Sequence, residues 1–558
     1  MKFVNTIMKH RGWIPDFKQR EFYFGEVIVD GEKIVEIKSH KDEKTSFEDG
    51  DIYILPGLVD AHVHIESSML TPSQFSLEVI KYGTVATISD PHEIANVLGE
   101  EGIRFMFEDA ERTSLKIYFT APSCVPATPL EKSGAVLGAD QIQGMAKEFS
   151  FIALGEMMNF PGVLNGDEEV FAKIDIFKKL GKPVDGHAPG ISGEELRKYA
   201  GAGISTDHEA TKLEEGREKI RAGMKIQIRE GSAAKNFESL WPLIAEYPDK
   251  VMLCCDDIHP DELVENHLDR LIRRGLAKGL NIFDLLRAAS INTIEHYGLD
   301  VGRLRKGEKA DFILVGNLDR FDVLETIING KTVYSKEKGP MVFTGKSLPA
   351  PNRFNRGMVK DEDFNIYGAD GSYRVIAAID GDLYTRSETH EFKAKGGMLE
   401  SDIERDIIKI AVVNRYSDEP PAIGWIKNTG LREGAIASSI AHDSHNIIAM
   451  GTNSREIANA VNLIIENQGG ISAWSDKGKD VLPLPVAGLM SMKGAAEVGK
   501  KYNSLSRMAR EMGSVLSAPF MTLSFMALLV IPELKIGDRG LFDVKEFKFV
   551  EAKEETDK

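Results

Sequence analysis

Between Ile52 and about Asp257 the chain repeats one pattern: a short apolar, β-branched run that ends in polar residues, then a longer stretch in which apolar residues return every three to four positions. The apolar runs are ILPGLVDAHVH (54–64), TVATISDPH (84–92), KIYFTAPS (116–123), FIALGEMMN (151–159), KPVDGHAPG (182–190), GISTDHEA (203–210), KIQIREGS (225–232) and VMLCCDD (251–257). Segments such as GEEGIRFMFEDAERT, EEVFAKIDIFKKLGK and SGEELRKYAGAG separate them and read as helices. Eight strands alternating with helices are what a (β/α)8 TIM barrel needs, and parallel strands buried on both faces read as continuous apolar runs. A doubly wound open sheet is the alternative, but neither a GxGxxG nor a GxxxxGK[ST] loop follows the first strand.

The flanks carry a different pattern. FYFGEVIVDGEKIVEIKS alternates around Asp30-Gly31, and ADFILVGNLDRFDVLETIINGKTVY turns at Asn329-Gly330, both hairpin signals. They predict a small β-domain built from 1–52 and 305–345, on either side of a barrel spanning 53–304. A Pro/Gly/Asn-rich stretch near 339–357 leads into short strands and turns with helical stretches at 453–468 and 488–512, read as an additional C-terminal α+β domain over 350–558. The closing EAKEETDK reads as a solvated tail. Between Glu511 and Glu533 no residue is charged, which reaches the length of a bilayer span, yet Pro519 and several Ser/Thr interrupt it, so it is expected to be a buried core segment.

Composition narrows the class of function. Of 558 residues, 69 are Lys or Arg and 86 are Asp or Glu, for a net charge of −17. That balance disfavours nucleic acid and anionic membranes as partners. Cys124, Cys254 and Cys255 cannot make a disulfide framework, and Met1 to Gln19 holds no apolar run of signal-peptide length, so a cytoplasmic protein is expected.

In such a barrel the chemistry lies at the C-terminal ends of the strands. Strand one ends in His62-Val63-His64, whose period-2 spacing points both imidazoles the same way. Strand four ends at Glu156, strand five at His187, strand six at His208 and strand eight at Asp256-Asp257. Thirteen histidines in 558 residues put His at about one position in forty, so four of them at three convergent strand ends are not a chance distribution. Four imidazoles with two carboxylates exceed the three protein ligands of a typical catalytic zinc, which points to two metals, with Glu156 bridging them at a separation of roughly 3.5–4 Å. Hydroxide produced from a shared water would be the nucleophile, and Asp256 would carry its proton to a leaving group.

The residues PGLVDAHVHIESSML, the Glu-His-His-Asp series and the flanking β-segments resemble the amidohydrolase superfamily. Within it, HIESSML, SDPHEIANVLG, REGSAA (229–234), CDDIHP and PFMTLSFMALLVIPELK together resemble the adenine deaminase family, over most of the chain including 358–558. The resemblance implies hydrolysis of adenine to hypoxanthine and ammonia in purine salvage, on a barrel with two divalent metals, Mn2+ or Fe2+ with Zn2+ as a further candidate, in a homodimer. It also implies that His62, His64, Glu156, His187, His208 and Asp256 are metal ligands, the first Asp of the strand-eight pair ligating. Glu156 stands where many superfamily members carry a carboxylated lysine. Candidates for holding the ring, all just past strand ends, are Glu66, His92, Arg229 and Asp257. An amidohydrolase acting on another cyclic amide or aminopurine, and an inactive barrel serving in binding or assembly, are the competing readings.

The zinc base deaminases of the cytidine type are excluded. His64-Ile65-Glu66 fits H-x-E, but no P-C-x-x-C exists. Cys254-Cys255 reads as a pair of small core residues. His442-Asp443-Ser444-His445 in the C-terminal domain fits a further metal site, a wall of the active site, or a structural turn.

Overall fold

The computed structural model describes residues 7–48, 50–232, 234–342 and 348–554. Ala233 of the REGSAA run, part of the 339–357 stretch, and the ends of both terminal segments lie outside the described residues. At its centre is a (β/α)8 barrel with strands β1 (Leu58–Val63), β2 (Thr84–Ser89), β3 (Lys116–Phe119), β4 (Leu154–Met157), β5 (Val184–Gly186), β6 (Thr206–Asp207), β7 (Lys225–Arg229) and β8 (Val251–Cys254). All the pairings are parallel: β1–β2–β3, β4–β5 and β6–β7–β8. The parallel bridges Ala121↔Leu154 and Val63↔Asp256 join β3 to β4 and close β8 onto β1. Between β5 and β6, Ser205 N donates to Val184 O at 2.9 Å. β1 and β2 are buried at every position, the condition under which a strand has no solvent face to alternate against.

The apolar run 54–64 is two strands in space. It breaks at Gly57, where a Cβ would overlap the Val85 side chain. Upstream, Tyr53–Pro56 leaves the barrel and joins an eight-stranded sheet with Met8–Asp16, Glu21–Asp30 and Lys33–Ser39 from before the barrel, and Phe312–Val315, Val323–Ile328, Lys331–Ser335 and Gly339–Pro340 from after it. Tyr53–Pro56 pairs antiparallel with Phe312–Val315 and so ties the two halves together. Gly31, at φ +60, makes the turn of the Asp30-Gly31 hairpin.

The C-terminal region is built on another eight-stranded sheet whose order runs Thr385–Phe392, Gly371–Ala378, Ala422–Lys427, Ile407–Val413, Ile447–Gly451, Ala435–Ser438, Gly470–Ser475, Gly478–Pro483. Strand alternation divides its apolar residues between two cores. Ala411, Val413, Ala435 and Ala437 pack under the helix Ser454–Glu466. Ile410, Val412, Ile436 and Ile448 face the other way, into the same core as the barrel residues. The uncharged stretch after Glu511 contains the buried helix Pro519–Phe525, and no helix among the described residues is long and apolar enough to cross a membrane. The closing segment is not wholly solvated: Arg374 N donates to Ala552 O at 2.8 Å and Glu554 N to Ser372 O at 2.9 Å, while 555–558 lie outside the described residues.

Candidate active site

His62 and His64 end β1 on the barrel axis, and the backbone that closes the barrel holds them. Asp256 N donates to His62 O at 2.9 Å and His64 N to Asp256 O at 3.2 Å. The Nε2 atoms of His62 and His64 are 3.1 Å apart. His62 also stacks on His208, with ring centroids 4.3 Å apart. Glu156, from β4, lies between two groups of imidazoles. Its Oε1 is 3.3 Å from His64 Nε2, and its Oε2 is 2.8 Å from His187 Nδ1 and 3.1 Å from His208 Nε2. Asp256 Oδ1 completes the set at 3.5 Å from His62 Nε2 and 3.3 Å from His64 Nε2. Asp257 turns elsewhere, with Oδ1 2.6 Å from Ser67 Oγ. Asp256 holds a left-handed φ of +57, the kind of strained backbone, of order 1–3 kcal/mol, that recurs where a side chain must be aimed.

The donor atoms of the cluster are fixed from behind. Asp90 Oδ2 accepts from Glu156 N at 2.9 Å, and this approach requires Gly155, because a Cβ there would overlap the Asp90 carboxylate. His64 Nδ1 meets Asp90 O at 3.0 Å, which leaves Nε2 free to face the cluster. His187 N donates to Tyr199 Oη at 2.9 Å, and Tyr199 Oη donates to Met157 O.

The chemistry of this donor set fits divalent cations. Two imidazole nitrogens 3.1 Å apart cannot both carry protons toward each other, and both also face carboxylate oxygens. His62, His64 and Glu156 form one compact ligand group, His62, His208 and Asp256 a second, and Glu156, His187 and His208 a third. Burial alone would raise the Glu156 carboxyl, but His187, His208 and His64 hold it well below the usual carboxylate range. Burial would lower His187, and Glu209 with Glu156 raises it to about 9. A divalent cation in the cluster would neutralise these carboxylates and let the imidazoles serve as neutral ligands.

Arg229 and Glu209 form the adjoining wall. Arg229 Nη1 donates to Asp256 Oδ2 at 2.8 Å and also to Glu209 Oε1, while Nη2 donates to Glu209 Oε2 at 2.9 Å. His92 opens the helix after β2, with Nδ1 3.5 Å from Glu156 Oε1 and Nε2 3.8 Å from Asp443 Oδ1. The C-terminal domain closes the top with Leu383, His442, Asp443, Phe525, Leu528 and Ile531, leaving a cavity of about 30 Å³. Glu209, Arg229, Leu383 and Ile531 also line a neighbouring outer cavity of about 710 Å³.

The amidohydrolase family model matches residues 53–333, and the model described as the adenine deaminase C-terminal domain matches residues 382–548. The adenine deaminase of Methanosarcina mazei is 52% identical over 556 residues, covering 97% of this chain and 99% of its own. Those of Methanosarcina acetivorans, 53% identical over 97% of this chain and 99% of its own, and of a Sulfurovum species, 52% identical over 96% and 98%, match equally fully. The chain belongs to the adenine deaminase family. These relatives match along both the barrel and the C-terminal domain of this chain, and membership implies a divalent metal.

Against this family background, the six expected ligands His62, His64, Glu156, His187, His208 and Asp256 converge in one cluster. Of the expected ring contacts, His92, Arg229 and Asp257 line the cavity. Glu66 does not: it is fully buried, its Oε1 accepts from Ile94 N at 3.2 Å, and burial with neighbouring Glu93 pushes its carboxyl up to about 8. The guanidinium of Arg229 is already engaged by Glu209 and Asp256. Glu209, which the strand-end reading passed over, directly follows His208. Asp90 escaped as well, although it follows β2 as His64 follows β1. The roof residues carried only a general signal, an apolar stretch without charge.

Proposed function

We propose that this chain hydrolyses adenine to hypoxanthine and ammonia at a centre for two divalent cations, Mn2+ or Fe2+ in the cell with Zn2+ as a competitor. The observation that carries the reading is Glu156 standing between two sets of imidazoles, one oxygen toward each. His62, His64 and Asp256 would hold one cation, His187 and His208 the other, with Glu156 shared. When bound, such cations acidify water and stabilise the charge that develops in the transition state.

The chain's own residues supply the rest. The oxygen of the attacking water bonds to purine C6, and the C6–N bond breaks. One water proton ends on the departing ammonia and the other on the ring nitrogen of hypoxanthine. Asp256 moves the proton through Oδ1, the oxygen not tied to Arg229. Arg229 fixes the Asp256 carboxylate, and Glu209 fixes Arg229. His92 and Asp257 hold the polar edge of the ring, while Leu383, Phe525, Leu528 and Ile531 exclude bulk water from above. A cavity of about 30 Å³ has room for roughly one water, so the roof opens for the purine to enter. The outer cavity bordered by Leu383 and Ile531 is the route.

Three buried free cysteines and the acidic balance support a cytoplasmic location. Ammonia release from adenine, guanine, cytosine and adenosine by Mn2+- or Fe2+-loaded protein tests the substrate. Turnover of adenine above the others is expected; another aminopurine as the preferred substrate would replace it.

A further inference from the structure

Beside the Glu156 centre lies a second set of donors that the chemistry above does not use. Glu93, on the helix His92–Leu98, meets His442 and His445 from the loop between Ala435–Ser438 and Ile447–Gly451, with one ligand atom of each within 4.8 Å of the others. Glu93 and His445 have no exposed surface, and His442 is 4% exposed. Neither ring nitrogen of His445 has a hydrogen-bond partner among the described residues, and Glu93 Oε2 has none either. His445 Nε2 stands 3.7 Å from Glu93 Oε2, too far for a hydrogen bond. Buried polar atoms left unpaired are costly, so the protein gains by placing something between these three.

The side chains are held where they are. His445 N donates to Ala441 O at 2.7 Å, and His445 O accepts from Arg415 Nη1 at 3.3 Å. Ser67 Oγ occupies Glu93 Oε1 at 2.6 Å, which leaves only Oε2 facing the histidines. Asp443 Oδ1 lies 3.4 Å from His442 Nδ1, the carboxylate–imidazole arrangement that orients a ligand ring. In the buried trio Asp60, Cys255 and His267, by contrast, His267 Nδ1 meets Thr84 Oγ1 at 2.8 Å, so only one of its ring nitrogens lacks a hydrogen bond, whereas both of His445's do.

We propose that Glu93, His442 and His445 form a third cation site, distinct from the Glu156 centre, for a divalent metal, Zn2+ before the harder Mn2+. A carboxylate with two imidazoles is a common three-ligand set for these ions, with water in the remaining position. Glu93 belongs to the barrel and both histidines to the C-terminal domain. The ion would therefore pin the loop carrying His442, a residue of the cavity roof, onto the barrel, adding its binding free energy to the closed arrangement.

The test uses full-length protein stripped with chelator, reloaded with Mn2+ or Zn2+ alone and crystallised. Anomalous scattering is expected between Glu93, His442 and His445, apart from any beside Glu156. In His445→Ala, or in Glu93→Gln should the first variant not fold, that peak is expected to vanish, and elemental analysis to fall by one equivalent per chain. No anomalous density among the three residues with either metal at saturation, or a stoichiometry unchanged in the folded variant, overturns the site. Because each peak is read by position, failure of the Glu156 centre would be seen separately.

Discussion

Arg229 Nη1 donates to Asp256 Oδ2 at 2.8 Å, and the same guanidinium binds both oxygens of Glu209. One planar, five-donor group thus orients the residue assigned to proton transfer. Arg229→Lys offers a point charge that cannot serve both carboxylates, and is expected to lose about tenfold in kcat, near 1.4 kcal/mol. Arg229→Met removes the guanidinium that Asp256 and Glu209 share, leaving these buried carboxylates only their imidazole neighbours, and is expected to lose about a hundredfold or more and to destabilise the fold by about 3–5 kcal/mol. Steady-state kinetics with denaturant unfolding checks both; equal rates in Lys and Met variants would deny Arg229 an orienting role.

Leu383 lines both the small inner cavity and the outer one. Leu383→Trp is expected to block passage and lower kcat/KM for adenine by about tenfold or more without changing metal content. Hydrogen exchange across 518–532 is also expected to slow when hypoxanthine saturates the protein. Exchange indifferent to hypoxanthine would mean that entry does not involve this roof.

His259 follows β8 and meets Tyr502 Oη at 2.8 Å on the helix Ala495–Glu511. Burial, with a smaller contribution from His442, lowers it to about 3. The folded protein keeps this imidazole neutral while the unfolded chain binds a proton below about pH 6.5, so stability is lost as pH falls from 6.5 toward 3. The slope is about 1.4 kcal/mol per pH unit. His259→Gln removes that contribution, and His296, also lowered to about 3 by burial, leaves a residual slope. Urea midpoints at pH 5, 6 and 7 should therefore vary less in the variant than in the parent; identical pH dependence would contradict the assignment.

The barrel and the inner face of the C-terminal sheet share one core, with Ile410, Val412, Ile436 and Ile448 in it. A chain ending at residue 350 would expose the barrel side of that core and remove the roof. It is expected to aggregate or bind hydrophobic dye, and to show no turnover; a soluble, cooperatively folding fragment would show that the two parts are independent.

The parts that could be read from sequence are those whose signal is local. Barrel strands announced themselves because burial on both faces removes alternation, and His62, His64, Glu156, His187, His208 and Asp256 announced themselves by standing at strand ends. Met8–Asp16 did not, because charged Lys9 and Arg11 share the strand with Trp13 and Ile14 and the segment pairs with partners on both sides of it in the sheet. The break at Gly57 depends on Val85 pressing from a neighbouring strand, which no pattern within 54–64 records. Asp90 acts through a backbone contact to Glu156, 66 residues away. Phe525 and Ile531 were legible as apolar, while their place above the imidazole–carboxylate cluster is a product of how the two domains meet.

The most direct measurement is conversion of adenine to hypoxanthine by chelator-stripped protein as Mn2+ or Fe2+ is restored, with Glu156→Gln beside it. The account predicts no turnover without metal, recovery as cations fill the centre around Glu156, and a loss of both bound metal and rate in Glu156→Gln. Full activity in the stripped protein, or no turnover of adenine with the metals in place, would contradict it.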